Sequence, residues 1–186
     1  PGTGLRLLDR RERASFTSWP EVDARAARAA GALRALGVKP GDRVAIVLPT
    51  SIGFFDAFFG CAWVGATPVP LYPPVRLGRL DAYIERTAAM MQATQAVAVI
   101  TESRVMRVFG RVLEHARPPL GAIDVTTLHD APEHRNPAAP DALAMVQFSS
   151  GTTVEPKPVG LTHDQVLANA SRILDVVLRV TPLDSD

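Results

Sequence analysis

The chain has 186 residues, of which 47% are hydrophobic and 21% charged, so its composition is that of a globular protein and excludes a disordered tail. The formal net charge of +1 excludes the strong positive field on which nucleic-acid-binding proteins rely. The single cysteine, Cys61, allows no internal disulfide, and no apolar run reaches the roughly 18 residues that a membrane span needs. We therefore expect a cytoplasmic protein with no membrane span and no nucleic-acid partner.

The first part of the chain predicts a hairpin, a helix and a buried strand. Short runs at 5–8 and 14–17 flank a charged turn and predict two paired strands. Ser18 is typical of a helix N-cap, and apolar residues follow it at helical spacing as far as Gly37, which favours a left-handed helix end. The continuous apolar run at 44–48 predicts a strand buried on both faces, as in a parallel sheet.

The middle of the chain alternates helices with strands. Thr50 or Ser51 is expected to cap a second helix, which ends at Gly65. The next strand, 67–71, contains two prolines, so we expect it to lie at a sheet edge or to end early. The further predicted elements are helices at 77–91 and 105–115 and strands at 96–100 and 123–125.

The last part of the chain predicts a polar loop, a strand and a helix. Residues 129–140 carry three prolines, which indicates a surface loop, and a strand is predicted at 142–148. After a loop rich in Ser, Gly and Thr, a capping-box pattern beginning at Thr162 opens the last helix. The order βαβαβαβαβ…βα predicts an α/β fold with a mainly parallel sheet flanked by helices.

The loop that follows the strand at 142–148 is the part of the sequence most informative about chemistry. Its small and hydroxyl residues leave backbone N–H groups unobstructed, Gly151 lets the backbone approach an anion closely, and Lys157 adds a mobile positive charge. Converging donors with one cation suit a triphosphate, and ligands of open α/β sheets bind beyond the carboxyl ends of the strands. The candidate phosphate-binding residues are Ser149, Ser150, Gly151, Thr152, Thr153 and Lys157.

Three linked motifs resemble those of the adenylate-forming superfamily, which includes acyl-CoA synthetases, fatty acyl-AMP ligases and the adenylation domains of peptide synthetases. The motif that resembles its phosphate loop is Ser149-Ser150-Gly151-Thr152-Thr153-x-x-Pro156-Lys157-x-Val159. The motif that resembles its opening signature is Gly37-Val38-x-Pro40-Gly41-Asp42-Arg43-Val44-Ala45. Residues 58–71 resemble its second core motif, and Leu71-Tyr72-Pro73-Pro74 with Gln147 resemble the fatty acyl-AMP ligase branch.

The resemblance implies that residues 1–186 form a partial N-terminal subdomain of an AMP-binding domain, with the other subdomains and the C-terminal lid domain outside this chain. It implies ATP- and Mg²⁺-dependent activation of a fatty acid to an acyl-adenylate, with coenzyme A or an acyl carrier protein as a possible acceptor. The six loop residues would hold the ATP phosphates. The catalytic lysine and the metal ligand are expected downstream of this chain, so the fragment alone is expected to be inactive.

Two positions depart from the phosphate motif, because the family usually has glycine where this chain has Val154 and Pro158. Valine adopts positive φ only at a cost, and proline fixes φ and lacks an N–H donor, so we expect a stiffer loop than usual. These departures favour an alternative, in which the protein is a non-catalytic, degenerate adenylation-like module that binds another chain.

Other conspicuous residues have simpler structural explanations. Cys61 is expected to be inert packing, and three histidines without ligand spacing predict no metal site (His115, His129 and His134). His163 is expected either to approach the nucleotide or to act locally at the helix start. An aromatic cluster is expected to face the core, with some exposure at its rim that would cover a missing subdomain or line an acyl channel; it consists of Phe54, Phe55, Phe58, Phe59 and Trp63.

Overall fold

The computed structural model describes residues 2–9, 11–74, 80–149 and 156–178. At the amino terminus, β1 (Gly4–Leu8) and β2 (Ala14–Ser18) form the antiparallel hairpin that the sequence predicts. The Asp9 carboxylate in its turn accepts hydrogen bonds from the backbone N–H groups of Arg11 and Arg13 at 2.8 and 3.0 Å. The charged turn is therefore an exposed local structure, as expected.

A four-stranded parallel sheet forms the centre of the fold. Its strands are β3 (Arg43–Val47), β4 (Thr67–Pro70), β5 (Ala98–Thr101) and β6 (Ala122–Asp124). They are arranged in the order β4-β3-β5-β6, and each neighbouring pair is parallel. The two prolines of β4 therefore lie on an edge strand, where a missing N–H donor is tolerated, and the predicted position of this strand is confirmed.

Helices cover both faces of this sheet. They are α1 (Trp19–Ala35), α2 (Ile52–Val64), α3 (Leu80–Ala93) and α4 (Ser103–Ala116). Along β3, Val44 and Ile46 join the core cluster made with α1 and α2, whereas Ala45 and Val47 join the cluster made with α3 and α4. A strand buried on both faces needs apolar residues throughout, which explains the continuous apolar run. The fold is therefore α/β, as predicted.

The ends of the first two helices follow the predicted capping rules. The Ser18 hydroxyl accepts from the backbone N–H of Glu21 at 3.4 Å, and the Ser51 hydroxyl accepts from that of Phe54 at 3.3 Å, so Ser51 rather than Thr50 is the cap of α2. Gly65, which ends α2, has a φ of +80°. Glycine adopts this conformation without the steric cost that a Cβ would add.

The polar loop 129–140 lies across α1 and α2. The backbone N–H of His134 donates to the Ala27 carbonyl oxygen at 2.9 Å, and that of Asn136 donates to the Trp63 carbonyl oxygen at 2.7 Å. The Arg135 guanidinium donates to carboxylate oxygens of Asp23 and Glu133, both at 2.7 Å. The predicted surface loop is thus tied to both helices.

The carboxyl-terminal part departs from the predicted order. β7 (Leu143–Phe148) pairs antiparallel with β8 (Pro158–Thr162), a strand that the sequence analysis missed, and α5 (His163–Arg172) follows. The last turns, Ile173–Leu178, are π-helical rather than a continuation of α5. Among the described helices, none is long and apolar enough to cross a membrane.

Candidate phosphate-binding loop

The β7–β8 hairpin holds the two ends of the candidate loop together. Phe148 and Pro158 are paired in the strand register, and the backbone N–H of Ser149 donates to the Lys157 carbonyl oxygen at 3.1 Å. Ser149 and Lys157, which are far apart on an extended chain, therefore lie next to each other at one end of the hairpin. Both residues are exposed and accessible to a ligand.

The other predicted site residues lie between these two ends. Ser150, Gly151, Thr152 and Thr153 fall outside the described residues, as does Val154, one of the two departures from the family motif. Their assignment to phosphate binding therefore stays a prediction. The two candidate residues that the structure does describe, Ser149 and Lys157, lie together.

The second departure, Pro158, has a clear place in the fold. It is the first residue of β8 and pairs with Phe148 of β7. A strand tolerates proline at its first residue, so the proline fits the backbone of the hairpin without disturbing its pairing.

The base of the hairpin is anchored to the core of the fold. Val146 is buried in the cluster that α3 and α4 share with the sheet, and Phe148 packs against the same cluster. On the side of β4, the Thr67 hydroxyl donates to the Leu143 carbonyl oxygen at 3.4 Å. The strand that leads into the loop is therefore fixed by both packing and hydrogen bonding.

The exit from the loop is fixed by the start of α5. The Thr162 hydroxyl accepts from the backbone N–H of Gln165 at 3.3 Å, while the Gln165 side-chain oxygen accepts from the backbone N–H of Thr162 at 3.0 Å. This reciprocal arrangement confirms the predicted capping box. The backbone N–H of His163 donates to the Ala142 carbonyl oxygen at 3.1 Å, which ties the first turn of the helix to the start of β7.

The segment that resembles the opening signature has a structural role. The Asp42 carboxylate accepts from the backbone N–H of Lys39 at 2.8 Å and closes the turn before β3. The Arg43 guanidinium donates to the carbonyl oxygens of Thr94 and Gly41 at 2.8 and 2.9 Å and so connects this turn to the one before β5. Lys39, the other lysine of the chain, lies in this turn and not at the candidate loop.

The aromatic cluster on α2 is half-buried, as expected of a helix with an exposed rim. Phe54 and Phe58 are stacked with their ring centroids 5.9 Å apart, and Phe55 and Phe59 are stacked at 6.2 Å. Phe54, Phe58 and Trp63 pack against the core. The predicted core-facing role is confirmed for these three residues.

One edge of the aromatic cluster lines an apolar groove between α1, α2 and α5, which we call the α5 groove. Its volume is about 690 Å³. Its lining includes Trp19 and Asp23 of α1, Phe59 and Trp63 of α2, and Asp164 and Leu167 of α5. His163 also lines this groove, on the α5 side.

Cys61 and two of the histidines have local explanations, and Nε2 of His129 lies 3.9 Å from a carboxylate oxygen of Asp56. Cys61 is fully buried, and burial raises the pKa of its thiol to about 12, which agrees with inert packing. Nδ1 of His115 lies 2.6 Å from the Arg111 carbonyl oxygen, and Nδ1 of His134 lies 3.1 Å from Nη1 of Arg34. Among the described residues, no group of three or more His, Cys, Asp or Glu side chains could hold a metal ion.

A parallel sheet with helices on both faces, followed by a hairpin that carries a Ser/Gly/Thr-rich loop, places the chain among α/β proteins of the adenylation-domain type. The chain belongs to the family of AMP-binding enzymes, whose family model matches residues 7–185.

Bacterial relatives support this assignment. The chain is 33% identical over 175 residues to the long-chain-fatty-acid–AMP ligase FadD26 of Mycobacterium marinum, a match that covers 90% of this chain and 29% of that protein. It is 30% identical over 162 residues to a feruloyl-CoA synthase of an Amycolatopsis species, covering 84% of this chain and 30% of that protein.

A solved structure is similar over nearly the whole chain. It comes from a study of fatty acyl-adenylate ligases from E. coli and L. pneumophila and matches with a TM-score of 0.88 at 28% identity. The match covers 98% of this chain and 33% of that one. The chain thus spans a third or less of the length of these proteins.

Proposed function

We propose that the full-length protein containing this chain activates a fatty acid with ATP. A carboxylate oxygen of the acid attacks the α-phosphorus of ATP, the bond between the α-phosphorus and the bridging oxygen breaks, and pyrophosphate leaves as the acyl-adenylate forms. The match of the AMP-binding family model to residues 7–185 carries this proposal. The similarity to FadD26 and to a fatty acyl-adenylate ligase structure favours a fatty acid over other carboxylic acids.

In this proposal, residues 1–186 are the first part of the AMP-binding domain, and their contribution is electrostatic. Backbone N–H groups and hydroxyls of Ser149 to Thr153, with the Lys157 ammonium, hold the β- and γ-phosphates and stabilise the charge that develops on pyrophosphate. The hairpin supports this role, because it fixes both ends of the loop next to each other. These residues bind the phosphates and stabilise the leaving pyrophosphate. The proposal assigns the groups that complete the reaction to the rest of the protein.

The cofactors of the proposed reaction are ATP and Mg²⁺. As the family resemblance implies, the proposal assigns Mg²⁺ to the ATP phosphates and to residues outside this chain. The acceptor of the acyl group is coenzyme A or an acyl carrier protein, and the proposed location is cytoplasmic.

The proposal is tested by ATP–pyrophosphate exchange with the full-length protein, using fatty acids and, for comparison, ferulate. The double variant Thr152→Ala/Thr153→Ala is expected to lose roughly 100-fold in exchange rate, the scale of losing a donor to a developing anion. The matched control, Thr3→Ala/Ser15→Ala, removes two hydroxyls near the amino-terminal hairpin and is expected to keep the parent rate.

Three outcomes contradict parts of the proposal. Equal exchange by the two double variants would remove the phosphate-binding role of the threonines. Exchange with ferulate but not with fatty acids would change the substrate class. No exchange with any acid, in a protein that retains its fold, would favour the non-catalytic module that Val154 and Pro158 suggest.

A further inference from the structure

A second concavity, which we call the α1–β3 pocket, is bordered by the end of α1, the turn before β3, the end of α2 and the loop 129–140. Its volume is about 370 Å³, within the range usual for small-molecule sites. The pocket lies at the amino end of β3. The candidate phosphate-binding loop lies at the other end of the strands, because β7 starts beside Thr67, the first residue of β4, and β4 is parallel to β3.

Four side chains that line the α1–β3 pocket carry hydrogen-bond donors, and two of them are cations. They are the Arg34 guanidinium, the Lys39 ammonium, the His134 ring and the Asn136 amide. Within the part of the chain that the structure describes, no carboxylate lies within ion-pair distance of Arg34 or Lys39. The two positive charges are therefore available to an anion.

The carboxylates closest in sequence to these donors are engaged elsewhere. Asp42 accepts from the backbone N–H of Lys39 at 2.8 Å. Glu133 pairs with Arg28 and Arg135 at 3.7 and 2.7 Å. Neither carboxylate lines the pocket, so neither would repel an anion from its wall.

The carboxyl end of α1 opposes an anion only weakly. The backbone N–H of Gly37 donates to the Arg34 carbonyl oxygen, and that of Val38 donates to the Leu33 carbonyl oxygen, both at 3.0 Å. A helix end carries about half an elementary negative charge, whereas Arg34 and Lys39 supply two full positive charges. The balance of charge at the pocket therefore favours an anion.

The donors from the loop 129–140 are held in place by the fold. The backbone N–H groups of His134 and Asn136 donate to the carbonyl oxygens of Ala27 and Trp63. Nη1 of Arg34 lies 3.1 Å from Nδ1 of His134. Because a guanidinium only donates, Nδ1 accepts and Nε2–H is the donor of the ring. Donors that are fixed in advance lose less conformational entropy when a ligand binds.

The pocket also has an apolar part, which favours an organic anion over an inorganic one. Val38 and Val64 are 2% and 1% exposed, and both line the pocket together with Pro40. A Cβ atom on Gly65 would lie 2.9 Å from Nδ2 of Asn136, so the glycine leaves room for this amide beside the pocket. An apolar lining with a few polar groups is typical of small-molecule sites.

We propose that the α1–β3 pocket binds a small organic phosphate. Arg34, Lys39 and Nε2 of His134 donate to the terminal phosphate oxygens, and the organic part lies against Val38 and Val64. A phosphate monoester carries a charge of about −1.5 to −2 at neutral pH, which matches the two cations better than the single charge of a carboxylate. The site takes no part in the proposed reaction, so an inactive full-length protein would leave it standing.

Labelling of Lys39 with pyridoxal 5′-phosphate tests this inference on the folded full-length protein at low ionic strength. The aldehyde forms an imine with the Lys39 amine, borohydride reduces the imine, and mass spectrometry of the peptide that contains Lys39 gives the rate. Phenyl phosphate is expected to protect Lys39 at a concentration at least about tenfold lower than benzoate, because the phosphate has more charge and more acceptor oxygens.

Arg34→Gln is expected to raise the concentration of phenyl phosphate needed for half-protection at least about tenfold, the scale of one lost hydrogen bond to a charged group. The matched control, Arg86→Gln, removes an exposed arginine of α3 and should keep the parent value. Both positions are on the surface, so neither variant is expected to disturb the fold.

Three results would overturn the proposal. The first is equal protection of Lys39 by phenyl phosphate and benzoate. The second is protection by phenyl phosphate that Arg34→Gln leaves unchanged. The third is protection by polyglutamate and not by phenyl phosphate, which would assign the pocket to an acidic protein partner.

Discussion

A partly buried ion pair between Arg25 and Asp56 links α1 to α2. Nε and Nη2 of Arg25 donate to the two carboxylate oxygens of Asp56 at 2.9 and 2.6 Å, and Asp56 is 1% exposed. Hydrogen bonding to Asp56 raises the pKa of Arg25 above its ordinary value. Such a paired arrangement satisfies the Asp56 carboxylate, which would be costly to leave without a partner at this depth.

Arg25→Met is expected to lower the free energy of unfolding by about 3 kcal/mol, because it removes two hydrogen bonds from the buried Asp56 carboxylate, which Nε2 of His129 approaches only to 3.9 Å. Urea unfolding followed by circular dichroism measures the change. The control is the double variant Arg25→Met/Asp56→Leu, which removes the orphaned charge as well and is expected to regain most of the loss. A double variant as unstable as the single one would contradict this explanation.

Cys61 is expected to resist thiol reagents in the native protein. Burial raises the pKa of its thiol to about 12, so the reactive thiolate is scarce and the sulfur is inaccessible at neutral pH. Ellman's reagent should react with Cys61 only after denaturation. Rapid stoichiometric reaction of the native protein would show that the thiol is accessible.

The same pKa shift has a consequence for stability in base. The folded-state pKa of Cys61 lies above its ordinary value of 9.0, so its neutral form is favoured by the fold. This contribution is complete below about pH 9 and is lost as the pH rises toward about 12. Cys61→Ala is expected to flatten the loss of stability over this window, measured as urea midpoints against pH.

At the scale of elements, the close approach of α1 and α2 depends on a glycine. A Cβ atom on Gly60 of α2 would lie 2.7 Å from the Cβ atom of Ala29 and 3.3 Å from backbone atoms of α1. Two helices can pack this closely only where small residues face each other. The α1 residues here are alanines of the core cluster, so neither helix can move away to accommodate a larger side chain without disturbing the core.

Gly60→Ala is expected to lower the free energy of unfolding by about 1–3 kcal/mol through overpacking. Gly110→Ala in α4 is the matched control, since a Cβ there meets no atom within 4 Å. Gly110→Ala should raise the free energy of unfolding by about 0.5–1 kcal/mol, because alanine has a higher helix propensity than glycine. Chemical denaturation compares the two; equal effects would refute the packing explanation.

The sequence predicts most elements because their signals are local. The caps at Ser18, Ser51 and Thr162 are set by contacts within one helical turn, and the apolar run of β3 directly reflects burial on both faces. β8 was missed because Pro158 and Gly160 are turn formers in isolation. Its strand geometry comes from pairing with β7, a contact that no local pattern reveals.

The candidate site was predictable as a motif but not as geometry. The residue types from Ser149 to Lys157 indicate phosphate chemistry, yet nothing local predicts that the loop ends meet through a strand pair. The hydrogen bonding of Arg43 could not be predicted from local sequence either, because its partner Thr94 is fifty-one residues away. The resemblance locates these residues, and the fold determines what they contact.

At the scale of the whole molecule, burial is unevenly distributed. The central strands β3 and β5 are fully buried along most of their length, whereas α5 has no buried residue. Regions with few buried contacts open more readily than the core. The 186-residue chain is therefore expected to have a stable sheet and a weakly held last helix.

Hydrogen exchange of the 186-residue chain measures this difference. Backbone amides of β3 and β5 should be the last to exchange, close to the limit set by global unfolding, while those of α5 should exchange through local opening. Peptides that cover 43–47 and 163–172 report the two rates. Equal protection of these peptides would show that α5 is held as firmly as the sheet.

The hydrogen bond between Ser149 and Lys157 also has an entropic consequence. Bringing the two ends of a loop together costs conformational entropy that grows with the logarithm of loop length. Here β7 and β8 close the ends during folding, so that part of the ordering cost does not recur when an anion arrives. A ligand at this loop therefore does not bear the cost of closing the loop ends again, which favours tighter binding for the same set of contacts.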